Sequence, residues 1–268
     1  MPFIKVKDID IYYEIAGAGP KLLYINGTGG DLRKKPNIFD LPFVEHFTVL
    51  AYDQRGLGQT SKPNQPYTMQ SYANDAAALM DALGWEKAHV LGVSFGGMVA
   101  QELAISYSEK IDRLALACTS SGGVGGDSYP LHELIGLSAD EKAEKVIYLT
   151  DNRIDAEWKA KNPQKYKQML DKVLNGFQVG AGEPERELGY KLQIEARKRH
   201  NTYERLQSIG LKVFIAGGEY DNICDSNNLK AISSQIDSSI LRIYPYGHLF
   251  FMQDNNYWQD LQSFFLGN

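Results

Sequence analysis

The chain has only two cysteines, Cys118 and Cys224, among 268 residues. Two thiols are too few for a disulfide scaffold, and they exclude a metal site built from several cysteines. A low cysteine count is typical of proteins in a reducing compartment. We therefore expect a cytoplasmic protein.

Long apolar runs and a surplus of basic charge are also missing. No stretch approaches the roughly 20 apolar residues of a transmembrane helix, and the first residues, MPFIKVKDID, carry charges where a signal peptide needs an apolar run. The net charge is −5, from 28 Lys and Arg against 33 Asp and Glu. An acidic chain without a basic stripe is a poor ligand for nucleic acid. We expect neither a membrane nor a nucleic-acid partner.

Short apolar segments alternate along the chain with segments of helical periodicity. The predicted strands are 3–7, 9–15, 21–26, 47–53, 88–93, 111–119, 211–217 and 239–244, and the predicted helices are 68–83, 95–107, 226–236 and 254–266. This alternation predicts an α/β fold, in which helices flank a mostly parallel sheet on both faces.

One long segment interrupts this alternation. Of the 84 residues from 124 to 207, 28 are charged, against 33 of the other 184. Such charge density predicts helices that lie on the sheet as a cap rather than beside it. We expect a core of residues 1–120 and 208–268 with a helical cap at 121–207.

Local signals place two helices in this expected cap. Ser138 and Glu141 have the spacing of a capping box. Asn162 and Pro163 are typical of a helix start, and apolar residues at helical spacing follow them. Glycines at 122, 123, 125 and 126 predict a flexible connection where the cap begins.

The segment Gly92–Gly97 reads G-V-S-F-G-G between a predicted strand and a predicted helix. The pattern G-x-S-x-G in this context predicts a sharp turn that exposes a serine hydroxyl. The helix N-terminus that follows favours developing negative charge. We expect Ser94 to be a nucleophile; the alternative is a glycine-rich turn with an incidental serine.

A serine nucleophile needs a base. Of five histidines, His248 follows the last predicted strand, at the same sheet edge as Ser94, and it is the candidate base. The other four are expected to be structural or on the surface: His46, His89, His132 and His200.

The base needs an acid that orients it. Asp221 follows the strand predicted at 211–217, with Glu219 and Asp225 as alternatives. The chain order Ser94, Asp221, His248 is that of a nucleophile, acid and base in the hydrolase pattern.

An oxyanion intermediate needs two N–H donors. The N–H of Phe95 is one candidate, and the glycine-rich loop Asn26–Gly30 offers a second, Thr28. A phosphate-binding loop is the competing interpretation, but neither GxxxxGK[ST] nor a complete GxGxxG occurs in the chain.

Further roles are expected for residues beside these motifs. Gly27, in the expected oxyanion loop, and the aromatic residues Tyr246 and Phe250, beside the expected base, are candidate substrate-binding residues. Asp53 and Arg55 are expected to form a buried structural pair.

Together the motifs GVSFGG, DQRGLG, GEYD and YGHLFF resemble those of the α/β-hydrolase superfamily, in the same order and across essentially the whole chain. The predicted cap resembles those of small esterases, enol-lactonases and C–C bond hydrolases. Many members have His-Gly before the oxyanion loop where this chain has Asn26-Gly27. A serine nucleophile argues against the branches that use aspartate.

The resemblance implies hydrolysis of a small carboxylic ester or lactone through an acyl-enzyme, with no metal and no cofactor. C–C bond hydrolysis, perhydrolysis and aminopeptidase activity use the same triad and stay open. So does a different class of function, a receptor that holds a small ligand under the cap.

Overall fold

The computed structural model describes residues 2–267. Eight strands in this part of the chain form one sheet. The strands are β1 (Phe3–Val6), β2 (Ile9–Ala16), β3 (Lys21–Ile25), β4 (Thr48–Tyr52), β5 (Ala88–Val93), β6 (Ile111–Ala117), β7 (Val213–Gly218) and β8 (Ser239–Tyr244). Their order in the sheet is β1-β2-β4-β3-β5-β6-β7-β8. Only the pairs β1–β2 and β2–β4 are antiparallel within this sheet. The prediction of a mostly parallel sheet is confirmed.

Eight α-helices occur in the described part of the chain. They are α1 (Met69–Ala82), α2 (Phe95–Ser106), α3 (Ala139–Thr150), α4 (Ala156–Lys161), α5 (Pro163–Gln178), α6 (Arg186–Lys198), α7 (Ser226–Gln235) and α8 (Asn255–Leu266). Every strand and helix predicted outside 121–207 is present, with ends within two residues of the prediction. Between residues 2 and 267, no helix is long and apolar enough to span a membrane.

Two apolar layers enclose the sheet. Neighbouring side chains of a strand point to opposite faces, so Leu23 packs in the layer with α1, α2 and α7, whereas Leu22 packs in the layer with α8. Burial on both faces explains why the central strands are apolar throughout. Because β3 and β5–β8 are parallel, the loops after β3, β5, β7 and β8 lie at one edge of the sheet.

Residues 121–207, which we call the inserted segment, connect β6 to β7 and contain α3–α6. The capping box of α3 is confirmed: the Glu141 N–H donates to Ser138 Oγ, and the Ser138 N–H donates to Glu141 Oε2. Helices α4 and α6 were not predicted individually.

The start of the inserted segment is folded, where the sequence predicted a flexible connection. Gly122 pairs with Asn201 in an isolated β-bridge, and the Thr202 N–H donates to the carbonyl of Ser121 at 2.8 Å. The two ends of the inserted segment are thus hydrogen-bonded to each other beside the core.

Candidate active site

Ser94 occupies the sharp turn between β5 and α2. Its backbone has φ +55° and ψ −117°, a strained conformation for a residue with a side chain. Two hydrogen bonds hold it: the Ser94 N–H donates to the carbonyl of Ala117, and Thr119 Oγ1 donates to the carbonyl of Ser94, both at 2.8 Å. The Ser94 hydroxyl does not cap α2, so it is free for chemistry.

Close packing explains the glycines on either side of Ser94. A Cβ on Gly92 would lie 2.7 Å from the Cβ of Ala100, and one on Gly96 would lie 2.6 Å from the carbonyl oxygen of Asn26. Only glycine allows the strand, the helix and the loop after β3 to approach this closely.

The structure brings Asp221 and His248 into contact. Asp221 Oδ2 lies 2.6 Å from His248 Nδ1, and Asp221 Oδ1 accepts from the backbone N–H groups of Ile223 (2.7 Å) and Cys224 (3.0 Å). Because a carboxylate accepts, Nδ1 carries the proton and Nε2 is the nitrogen available as a base. Asp221 is 3% exposed, so it holds the imidazole in one orientation.

The loop that carries His248 crosses the end of β7. Strands β6 and β7 separate β5 from β8 in the sheet, a distance of about 14 Å at the usual strand spacing. A Cβ on Gly218, at the end of β7, would overlap the backbone of Tyr246 and Gly247. Glycine at 218 therefore lets this loop pass over β7 toward Ser94.

Ser94 and His248 lie at the same edge and are both buried, but no hydrogen bond joins Ser94 Oγ to His248 among residues 2–267. Catalytic hydrogen bonds are often long in ligand-free sites and tighten when substrate binds. The geometry supplies an oriented imidazole and a free hydroxyl. Their pairing in catalysis stays a prediction.

Two backbone N–H groups are available beside Ser94. Phe95 is the first residue of α2, so its N–H has no acceptor within the helix. In the loop after β3, the Gly27 N–H donates to Asn26 Oδ1 and the Gly29 N–H donates to Gln193 Oε1. The N–H groups of Thr28 and Phe95 have no hydrogen-bond partner in the described residues.

Of the three candidate substrate-binding residues, Gly27 lies beside Ser94, whereas Tyr246 and Phe250 pack toward the core. A Cβ on Gly27 would be 3.4 Å from the Cβ of Ser94. Phe250 is fully buried and stacks on Tyr244 at 5.3 Å, in the layer with α8. Tyr246 is half-buried against the same layer. The structure thus places Phe250 in the core, in the layer with α8.

The alternatives for the acid lie elsewhere. Glu219 is exposed, and Asp225 is exposed and caps α7. Of the remaining histidines, His46 is exposed and His132 half-buried, His89 stacks on Phe265 at 4.9 Å, and the buried His200 donates from Nε2 to the carbonyl of Ser120 at 3.1 Å.

The expected pair of Asp53 and Arg55 is wrong, although both residues are buried. Arg55 forms a two-point ion pair with Asp75 of α1, at 2.6 and 2.8 Å. Asp53 accepts instead from the N–H groups of Leu32 and Gln59, and burial raises its pKa to about 7. Arg55 thus connects the turn after β4 to α1, whereas Asp53 connects it to the loop that contains Leu32.

The inserted segment contacts the site through residues that no sequence motif predicts. The last carbonyls of a helix have no partner within it, and in α3 those of Leu149 and Thr150 accept from the N–H groups of Asn222 (3.0 Å) and His248 (2.6 Å). From α6, Gln193 holds Gly29, as described above. Within residues 2–267, no three His, Cys, Asp or Glu side chains are grouped to hold a metal ion.

Comparison with known proteins shows the family and the fold of the chain. A family model described as alpha/beta hydrolase fold matches residues 20–255. A poly(3-hydroxyalkanoate) depolymerase of Ectopseudomonas oleovorans is 27% identical over 237 residues, which cover 85% of this chain and 78% of that protein. The 3-oxoadipate enol-lactonase 2 of Acinetobacter baylyi is 23% identical, covering 92% of this chain and 89% of that protein. The crystal structure of the enol-lactonase from Burkholderia xenovorans LB400 is similar in fold, with a TM-score of 0.79, 22% identity and 100% of both chains covered.

Proposed function

Because the chain belongs to the α/β-hydrolase fold family, we propose that it is a serine hydrolase that cleaves a small carboxylic ester or lactone. The hydrogen bond between Asp221 and His248, at the sheet edge where the strained Ser94 lies, carries this proposal. Relatives named as a depolymerase of a hydroxyalkanoate polymer and as an enol-lactonase support the ester and lactone class.

In the proposed reaction, Ser94 Oγ attacks the carbonyl carbon while His248 Nε2 takes the hydroxyl proton. The N–H groups of Thr28 and Phe95 stabilise the oxyanion, and Asp221 stabilises the imidazolium. The imidazolium then protonates the leaving oxygen, which leaves an acyl group on Ser94. A water molecule, deprotonated by His248, attacks this acyl group; the acid leaves and Ser94 regains its proton.

We assign the inserted segment the role of a cap over this site, beside a core of residues 1–120 and 208–268. Its contacts support that role, since α3 and α6 reach the loops of His248 and Thr28. Both cysteines are buried free thiols, which supports a reducing compartment such as the cytoplasm. The reaction needs no cofactor.

The test is turnover of p-nitrophenyl esters from acetate to octanoate, and of a simple lactone, at pH 7–8. Ser94→Ala should lower kcat by a factor on the order of 10⁴–10⁶, whereas Ser106→Ala, at the exposed end of α2, is the matched control. Mass spectrometry of a rapidly quenched reaction should find the acyl group on Ser94. Ser94→Ala protein that keeps a tenth of the activity would show that the nucleophile lies elsewhere.

A further inference from the structure

A cavity of about 80 Å³ lies between α6 and the start of the inserted segment. Its buried lining includes Met98, Ser120, Ser128, Arg197 and His200. Since a water molecule needs roughly 10–15 Å³ measured in this way, the cavity has room for several waters or for one end of a small ligand.

Arg197 is a buried cation that forms no ion pair with residues 2–267. It is 8% exposed, and its guanidinium donates to two neutral oxygens, the carbonyl of Tyr129 (2.8 Å) and Ser128 Oγ (2.6 Å). Its Nε has no hydrogen-bond partner, and no carboxylate of residues 2–267 forms an ion pair with it. A buried charge is stable only when it is paired and hydrogen-bonded.

The neighbouring groups do not supply the missing negative charge. Burial raises the pKa of the Cys224 thiol, which therefore stays neutral. Asp127 also lines the cavity, but it is exposed and forms no ion pair with Arg197, and its charge affects the pKa of Arg197 less than burial does. His200 uses its Nε2–H on Ser120, so its Nδ1 is an acceptor rather than a donor for an anion. Lys198 lines the cavity as well but is exposed, so Arg197 is the buried cation that an anion in this cavity would contact.

The cavity is lined by residues from the segments that carry or contact the reacting groups. Met98 lies one helical turn after Ser94, and Ser120 follows Thr119, which holds the carbonyl of Ser94. Gln193, which holds Gly29 of the oxyanion loop, precedes Arg197 by one turn of α6. Four residues of a helix span about 6 Å along its axis, so Met98 lies about 6 Å along α2 from Ser94, and Arg197 lies about 6 Å along α6 from Gln193.

We propose that this cavity is an anion subsite, in which Arg197 binds a free carboxylate of the substrate. The inference rests on the proposed function and names its substrate class: half-esters of short dicarboxylic acids, or lactones with a carboxylate substituent. A guanidinium suits this task because its donors form a rigid planar fork that matches a carboxylate.

The first test measures selectivity, the ratio of kcat/KM for monomethyl glutarate to kcat/KM for methyl pentanoate, by acid release at constant pH. The two esters differ mainly in the terminal carboxylate. Arg197→Met should lower this ratio roughly 10- to 100-fold, as expected for a charged hydrogen bond. Arg199→Met, which removes an exposed charge from the end of the same helix, is the matched control. An equal ratio in wild type and Arg197→Met overturns the subsite.

The second test measures binding without turnover, by calorimetry of glutarate with Ser94→Ala and with Ser94→Ala/Arg197→Met. Weaker binding to the double variant supports the subsite. This holds even if wild type hydrolyses neither ester, because the lack of hydrolysis would refute only the proposed function. Equal binding to both overturns the subsite. If Arg197→Met does not fold, Arg197→Lys replaces it in both tests, since it keeps the charge but loses the planar fork of donors. Arg197→Lys should weaken glutarate binding and lower the selectivity ratio. If neither quantity changes, the subsite is overturned.

Discussion

The backbone N–H of His248 donates to the carbonyl of Thr150, the last residue of α3, at 2.6 Å. The candidate base is therefore held by the inserted segment as well as by Asp221. Arg153 adds to this contact: it pairs with Asp151, donates to the carbonyl of Pro245 at 3.2 Å and lies 4.3 Å above the ring of Tyr220. The end of α3 thus joins the loop of the acid to the loop of the base.

Arg153→Met should lower kcat on a small ester about 10- to 100-fold with little change in KM, because a shift of the His248 loop misaligns the base. Arg153→Lys should recover part of the activity. Steady-state kinetics and the pH profile of kcat check this, with Lys161→Met, an exposed residue of α4, as the control. Unchanged kcat in folded Arg153→Met would mean that the contact affects only stability.

Asp221→Asn should fold but lose roughly 10⁴ in kcat, because an amide favours the wrong tautomer of His248. Glu219→Gln, two residues away and exposed, should change kcat little. A paired measurement of kcat on p-nitrophenyl acetate decides between them. The opposite ranking would assign the acid role to Glu219.

The strands, the helices outside the inserted segment and the elbow at Ser94 follow from local patterns, since periodicity and glycine spacing are local properties. The ion pair of Arg55 does not follow from local patterns, because its partner Asp75 lies 20 residues further along the chain. Only the packing of α1 on the sheet brings Asp75 near. Phe250 was misjudged for a similar reason. A short turn at Phe250–Met252 directs its ring into the core, although its neighbour His248 is at the site.

Arg55→Met should destabilise the fold by about 3–5 kcal/mol, because it leaves the carboxylate of Asp75 buried without a partner. The double variant Arg55→Met/Asp75→Leu should recover part of this loss. Urea unfolding of both variants measures the difference. Equal stability of wild type and Arg55→Met would show that the ion pair contributes nothing.

The buried His200 should make its own contribution to stability depend on pH. Burial lowers its pKa to about 4 from the ordinary 6.5, against a smaller opposing effect of its hydrogen bond to Ser120. Between pH 6.5 and 4 the imidazole binds the proton more readily in the unfolded chain, so the contribution of His200 to the free energy of unfolding falls as pH falls, by up to about 3 kcal/mol. The raised pKa of Asp53 contributes the opposite slope in this range, so the measurement is the difference in free energy of unfolding between wild type and His200→Gln, by urea unfolding at each pH. This difference should shift in favour of the variant as pH falls from 6.5 to 4. A difference that does not change with pH would refute the assignment.

The hydrogen bond from Gly29 to Gln193 has a consequence for protein engineering. Chimeras that exchange the inserted segment between related hydrolases treat it as an independent module. Here a foreign segment would remove the acceptor of the Gly29 N–H and leave this group free to compete with Thr28 for the oxyanion. Exchanges that retain Gln193 and the helical turn around it should keep the rate of the chemical step, whereas wholesale exchanges would alter substrate preference and rate together.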